Sequence, residues 1–420
     1  MNKLPAIERF AARLLLVSFF LPAKVQVVAT MAVSMYFVIC TLVSKQAVTR
    51  SNYLLALIIG SCYLLYVCSI PFTPQEYKPF LLILCERGAS YLLMPFVFAL
   101  MAPGYRKLLM DELMYFVYAC FISCVVGNAG FICHYYFVDG GVHQLSHVAY
   151  RGFIEDMTGL HPTYMGMYLC FSICITLLFS SFPGRRSVIL KYTLIYLLLV
   201  FLLSLLAKSA LIALAIIFVH FIYLRRRRLY RHKILLAGIL AAVAAACFFI
   251  PFVSQRVAEI FSYFGVGKPG TTADNSIYVR KLIWDVDTGL LKPNWLTGVG
   301  PGRMLHMLHE RYFFYSLANQ FYVGYYDPHN EYFSMWLSFG VTGIVLFVAT
   351  LAVHFVKAIR AKNYLYGYLL IILCTTFFTE TVLSRQQGVL FYAVFTSLFF
   401  FASLEQLQKD LKIEIEGKPL

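Results

Sequence analysis

The chain has 420 residues, 60% of them hydrophobic and 13% charged, with a mean hydropathy of +0.74 and a formal net charge of +15. A soluble domain runs at about 45–50% apolar and about 25% charged. The gap excludes an ordinary soluble enzyme, a disordered chain and a secreted disulfide scaffold, and it leaves a polytopic helical membrane protein.

In chain order, Lys3, Arg9 and Arg13 precede the first apolar stretch, and no small-residue cleavage site follows. The segment reads as an uncleaved first span. A helical span needs roughly 20 mostly apolar residues. Candidate spans lie near 8–22, 26–43, 52–70, 79–102, 111–134, 163–182, 188–206, 209–224, 234–252, 331–355, 364–383 and 389–404. The runs are continuous, as in KYTLIYLLLVFLLSLLA over 191–207. A membrane barrel would instead show short alternating segments. The expected fold is therefore an all-α polytopic membrane protein of about twelve transmembrane helices.

Connectors on one side carry Lys45 and Arg50, Arg106 and Lys107, Arg185 and Arg186, Arg225 to Arg228, and Lys357, Arg360 and Lys362. Short loops rich in Lys and Arg stay cytoplasmic, so both termini are expected there. This pattern also accounts for the net charge, and no stacking platform or zinc pattern suggests nucleic acid. Two long connectors, about 135–162 and about 253–330, fall on the far side. The second contains RKLIWDV, with helical spacing, and the turn-rich PNWLTGVGPG. Asn275 or Ser276 could cap a helix running to about Gly289. The expected division is residues 1–252 as spans one to nine, 253–330 as a partly helical loop domain carrying active-site residues, 331–404 as the last three spans, and 405–420 as a cytoplasmic tail. The 11 cysteines lie nearly all inside apolar runs, and none falls between 253 and 328. A disulfide framework or a Cys-ligated metal in the long loop is excluded.

Several polar residues gather on the far side. His329 and Asn330 follow Asp327-Pro328 and open the tenth span, with Gly340 and Gly343 one turn apart further on. A His at a helix start feels the positive end of the macrodipole, which favours neutral imidazole. It could accept a proton there, or simply cap the helix; Gly340 and Gly343 could let helices approach. Arg280 shares a helix face with Trp284. It could grip phosphate oxygens bidentately or be a solvated surface charge. Lys208, in LLAKSAL, could snorkel or point into a wet cleft. TGVGPGR (297–303, ending in Arg303) could offer backbone N–H groups to an anion or be a turn needing positive φ. Glu380 and Arg385 end the eleventh span, and Glu86 and Arg87 sit within the fourth; each set could be functional or a structural pair. Arg151 and His161 flank a turn into the sixth span. Asp285-Val286-Asp287 looks like a D-x-D metal site, but alternate helical residues point about 200° apart. No metal is assigned to it.

The pattern resembles the bacterial O-antigen ligases and their relatives, the O-antigen polymerases and ligase-like protein oligosaccharyltransferases. His329, Asn330, Gly340 and Gly343 satisfy an H-[N/S/Q]-x9-G-x-x-[G/T/Y] signature. Arg280 precedes PNWLTGVG, close to but not identical with a P-x-x-G-x-G stretch. Ala207-Lys208-Ser209 stands where the family commonly has an Arg, and Glu380 where an Asp is often found. The resemblance implies a large periplasmic loop and a site facing the periplasm from the bacterial inner membrane. It implies transfer of a polysaccharide from undecaprenyl diphosphate to a sugar hydroxyl of lipid A–core, without cofactor, nucleotide or metal. His329 would act as general base. Arg280, Lys208, Arg385 and Arg303 would bind the diphosphate, with Asn330, Glu380, Gly340, Gly343 and Arg151 in support. A repeat-unit polymerase is the nearest alternative, and a lipid-linked glycan flippase or transporter, kept open by Glu86 and Arg87, is one of a different class.

Overall fold

The computed structural model describes residues 6–44, 50–138, 147–178, 185–229, 276–319 and 326–415. The ninth expected span (234–252) and the stretch 253–275 of the long loop lie outside them. The described residues are helical almost throughout. Continuous apolar sequence explains this, because a helix satisfies its backbone polar groups within one segment where no water can.

Among the described residues, six helices are long and apolar enough to cross a membrane, or up to eight if each of two bent pairs makes one span. They are Ala23–Val43, Lys78–Leu100, Met114–Val138, Val188–Leu205, Glu331–Arg360 and Gln386–Gln408. The bent pairs are Ser51–Ile59 with Ser61–Phe72, at 64°, and Ala149–Thr158 with Pro162–Leu178, at 74°. The first expected span is a helix of only 12 residues, Ala6–Val17. The eighth and eleventh correspond to the shorter apolar helices Lys208–Leu224 and Tyr364–Phe377. Of the about twelve spans expected from hydropathy, helix length supports six to eight among the described residues, and the ninth lies outside them. The break at Gly60 cuts an apolar run that sequence alone reads as a single span, whereas the bend before Pro162 falls where the sixth expected span begins.

The chain falls into two compact units. One comprises Met1–Val33 and Leu108–Thr272. In it Arg13 pairs with Glu112 at 2.8 Å. Lys208 opens the helix Lys208–Leu229 just after Leu206, which has a φ of 47°. The turn presses on Gly166, where a Cβ would come within 2.3 Å of the Ala207 Cβ. Arg151 lies half-buried on the helix His147–Thr158. His161 precedes the helix Pro162–Leu178, and its Nδ1 accepts from the Thr163 N–H at 3.4 Å.

The other unit comprises Ser34–Lys107 and Ala273–Leu420. Four of its helices matter below: α1 (Ser276–Asn294), α2 (Pro301–Asn319), α3 (Glu331–Arg360) and α4 (Gln386–Ile415). Leu282, Ile283, Val286, Leu290 and Leu291 of α1 pack with Met304, Leu308 and Tyr312 of α2 and with Leu337 of α3. Full burial of such a side chain is worth about 1.5–3 kcal/mol from water, so this cluster fixes α1 and α2 against the start of α3. At the opposite end of α3, Arg106 is buried and bonds Glu405 of α4 and the carbonyls of Phe98 and Met101. Glu86 and Arg87 are both exposed.

Candidate active site

α3 is broken at Gly340, which has φ 63° and ψ −153°. That region is open to glycine almost alone. The break frees the carbonyls of Leu337 and Ser338 from the helix. The turn after α1 takes them up: the Val299 N–H donates to Leu337 O at 2.7 Å and the Gly300 N–H to Ser338 O at 3.1 Å. In return the Val341 N–H donates to Leu296 O at 3.2 Å. The fit leaves no room for a side chain, since a Cβ on Gly340 would lie 2.1 Å from Leu296 O and one on Gly298 2.6 Å from Gly340 N. A Cβ on Gly343 would meet Met335 O at 2.5 Å. Of the two uses open to TGVGPGR, the structure carries the turn: Gly298 and Gly300 have φ of 72° and 88°, and the N–H groups of 298 to 300 bond carbonyls.

This clasp holds α1 beside the segment 326–330 that leads into α3. Asn330 caps α3, its side-chain oxygen accepting from the Phe333 N–H at 3.1 Å while its Nδ2 donates to Phe378 O at 3.3 Å. His329 sits in the left-handed region, with φ 42°. Asp327 secures it there, Oδ1 accepting from the His329 N–H at 2.9 Å and Oδ2 from the Thr381 hydroxyl at 2.8 Å. Glu331 is buried and accepts from the Leu383 N–H at 2.8 Å. Three hydrogen bonds therefore join 327–331 to the turn 378–383.

Glu380 stands at the centre. Its Oε2 lies 3.0 Å from His329 Nδ1, and its Oε1 accepts from Arg280 Nη2 at 3.2 Å. The carboxylate is nearly buried, whereas Arg280 and His329 keep about a quarter of their side chains exposed, 27% and 23%. Burial alone would lower the His329 pKa. The hydrogen bond and charge of Glu380, helped by Asp327 and opposed by Arg280, outweigh burial and raise it above the ordinary histidine value. The direction is opposite to the one expected from the helix terminus alone. Two carboxylates close to the ring act more strongly than partial charges on backbone groups.

Asp285 and Asp287 face opposite ways on α1, the first exposed and the second fully buried. Neither oxygen of Asp287 has a hydrogen-bond partner among the described residues. Burial, and then the charge of Asp327, push its carboxyl well above the usual range. Asp285 instead lines an open groove of about 630 Å³ with Val286, Gly289, Met307, Glu310, Arg311 and Phe314. Among the described residues no three His, Cys, Asp or Glu side chains are grouped to hold a metal ion.

Of the expected site residues, the structure brings together Arg280, His329, Asn330 and Glu380, with Gly340 and Gly343 beneath them. Arg385 and Arg303 are exposed and make no hydrogen bond or ion pair with these residues; Arg303 lies 6.0 Å over the Tyr77 ring. Lys208 and Arg151 belong to the other unit. Asp327, Glu331 and Thr381 were missed, although Asp327-Pro328-His329-Asn330-Glu331 places two acids around the histidine.

The family model described as O-antigen ligase matches residues 193–348. The matched stretch includes Lys208, Arg280, His329, Asn330, Gly340 and Gly343, and it supports the O-antigen ligase family for this chain. None of the curated proteins matches it. The chain is thus similar to the O-antigen ligases over 193–348 and carries several helices long and apolar enough to cross a membrane.

Proposed function

We propose that the chain is a membrane glycosyltransferase of the O-antigen ligase type. It transfers a polysaccharide from undecaprenyl diphosphate to a sugar hydroxyl of lipid A–core, on the periplasmic face of the bacterial inner membrane. The observation that carries this reading is the bridge of Glu380 between Arg280 and His329, with 3.2 Å on one side and 3.0 Å on the other.

In this reading Glu380 accepts the proton of Nδ1 and leaves Nε2 as the basic nitrogen. Nε2 takes the acceptor hydroxyl's proton as that oxygen attacks the anomeric carbon. The bond from that carbon to the phosphate oxygen breaks, and undecaprenyl diphosphate departs with the electron pair. Negative charge grows on the diphosphate. Arg280, whose Nε–H has no protein partner among the described residues, supplies a fixed cation to meet it. Preorganised charge of this kind is often the largest catalytic contribution, and losing one contact costs on the order of 10²-fold. Lys208 and Arg151 are proposed as supporting cations through the family resemblance, and Arg303 and Arg385 as weaker diphosphate contacts. Neither nucleotide nor metal takes part, so a chelator leaves the rate unchanged.

The test is transfer by the purified full chain, with lipid-linked glycan as donor and lipid A–core as acceptor. His329→Ala abolishes transfer while the protein still folds and inserts. Near wild-type transfer by that variant would overturn the reading. Activity only with a second lipid-linked glycan as acceptor would make the enzyme a polymerase.

A further inference from the structure

The base proposed above must become an imidazolium, and a half-buried cation needs a counter-charge. Glu380 already faces the guanidinium of Arg280. Asp327 differs: among the described residues, its only ion-pair neighbour is His329, with Oδ1 3.6 Å from Nδ1. The same carboxylate accepts the His329 backbone N–H at 2.9 Å and the Thr381 hydroxyl at 2.8 Å. It therefore reaches both the backbone that aims the ring and the ring itself.

Building on that reading, we infer that Asp327 is a positioning residue that holds His329 in its left-handed conformation and supplies the counter-charge for its imidazolium. With Arg280 positive and Glu380 and Asp327 negative, the cluster has one net negative charge while the ring is neutral. The proton that the ring gains from the acceptor cancels it. Without Asp327, the same proton would leave a net positive charge in a partly desolvated place. The charged groups facing the ring are Glu380 from the turn 378–383, Asp327 from its own segment and Arg280 from α1. The charge of Asp327 in turn acts on the buried Asp287 of α1.

The substitution that separates charge from shape is Asp327→Asn. Its carbonyl can still accept the His329 N–H, and its amide can still reach Thr381, but the charge is gone. Two measurements on the purified full chain are compared with wild type. The first is the pH midpoint for carbethoxylation of His329 by diethyl pyrocarbonate, followed by mass spectrometry. The reagent attacks neutral imidazole, so this midpoint needs no transfer activity. The second is the pH profile of transfer, with kcat and donor KM separated. Asp327→Asn should move the modification midpoint and the acid limb of kcat to lower pH. It should lower kcat by about tenfold or more and leave donor KM unchanged. Asp327→Glu should restore most of the midpoint. An unmoved midpoint in folded Asp327→Asn would overturn the inference. Should that variant not fold, Asp327→Glu against Asp327→Gln carries the same comparison at equal side-chain length. A moved midpoint together with full transfer by His329→Ala would refute the proposed function and leave the Asp327–His329 coupling standing.

Discussion

Arg280 and His329 come from segments about 50 residues apart and meet on the two oxygens of one carboxylate, Glu380. One acid thus orients both the proposed cation and the proposed base. Replacing it by Glu380→Gln keeps the shape and removes the charge. Because Glu380 is what chiefly raises the His329 pKa against burial, the acid limb of the rate profile should move to lower pH while kcat falls on the order of 10²-fold. A pH series of the transfer rate checks both. The same coupling contributes stability. It is fully present below the ordinary histidine pKa of about 6.5 and fades as pH rises through the higher native value.

Asp287 gives a second pH effect of the same sign. Its carboxyl is pushed well above the usual carboxylate range by burial and then by the charge of Asp327. A carboxyl raised in the native state lends stability below the ordinary Asp range, and this is lost as pH rises through the native value. Asp287→Asn mimics the protonated form. Its melting temperature should fall less than that of wild type as pH rises above the ordinary Asp range, as read by thermal unfolding of purified protein. A parallel fall in both would contradict the assignment.

Gly340 is expected to tolerate no side chain. A Cβ there would sit 2.1 Å from Leu296 O at a φ of 63°. Backbone strain alone costs about 1–3 kcal/mol, and the clash adds to it. Gly340→Ala should lower thermal stability and reduce transfer by displacing the start of α3, where His329 lies. Gly367, whose Cβ would meet nothing within 4 Å, is the control: Gly367→Ala should leave transfer unchanged.

The proposed cations should rank by position. Arg280 contacts Glu380, whereas Arg303 and Arg385 are exposed. Arg280→Ala is expected to cost on the order of 10²-fold or more. Arg303→Ala and Arg385→Ala should each cost less than about tenfold, since exposed charges are screened. Donor-dependent rates at low and high salt measure the ranking.

Much of this was legible in the sequence where the physics is local. Continuous apolar runs fix helices, and helical geometry alone puts Asp285 and Asp287 on opposite faces, as found. The spacing of His329, Asn330, Gly340 and Gly343 marked the start of α3. What remained hidden depends on pairing across the chain. Nothing near Glu380 in sequence announces that it bridges residues about 50 and 100 positions away. Asp327 and Glu331 find their partners, Thr381 and Leu383, in that same distant turn. The macrodipole argument gave the opposite direction of shift for His329 because the carboxylate that outweighs it, Glu380, was out of sequence reach. The bends of 64° and 74° were hidden as well, because a bend leaves little trace in average hydropathy.

The central claim is that Arg280, Glu380 and His329 act as one catalytic unit, and a double-mutant cycle on kcat tests it most directly. Transfer is measured for Arg280→Ala, His329→Ala and the two combined. Members of one unit are strongly non-additive, so the double variant should be little slower than the worse single variant. A double variant whose loss equals the product of the two single losses would contradict the account.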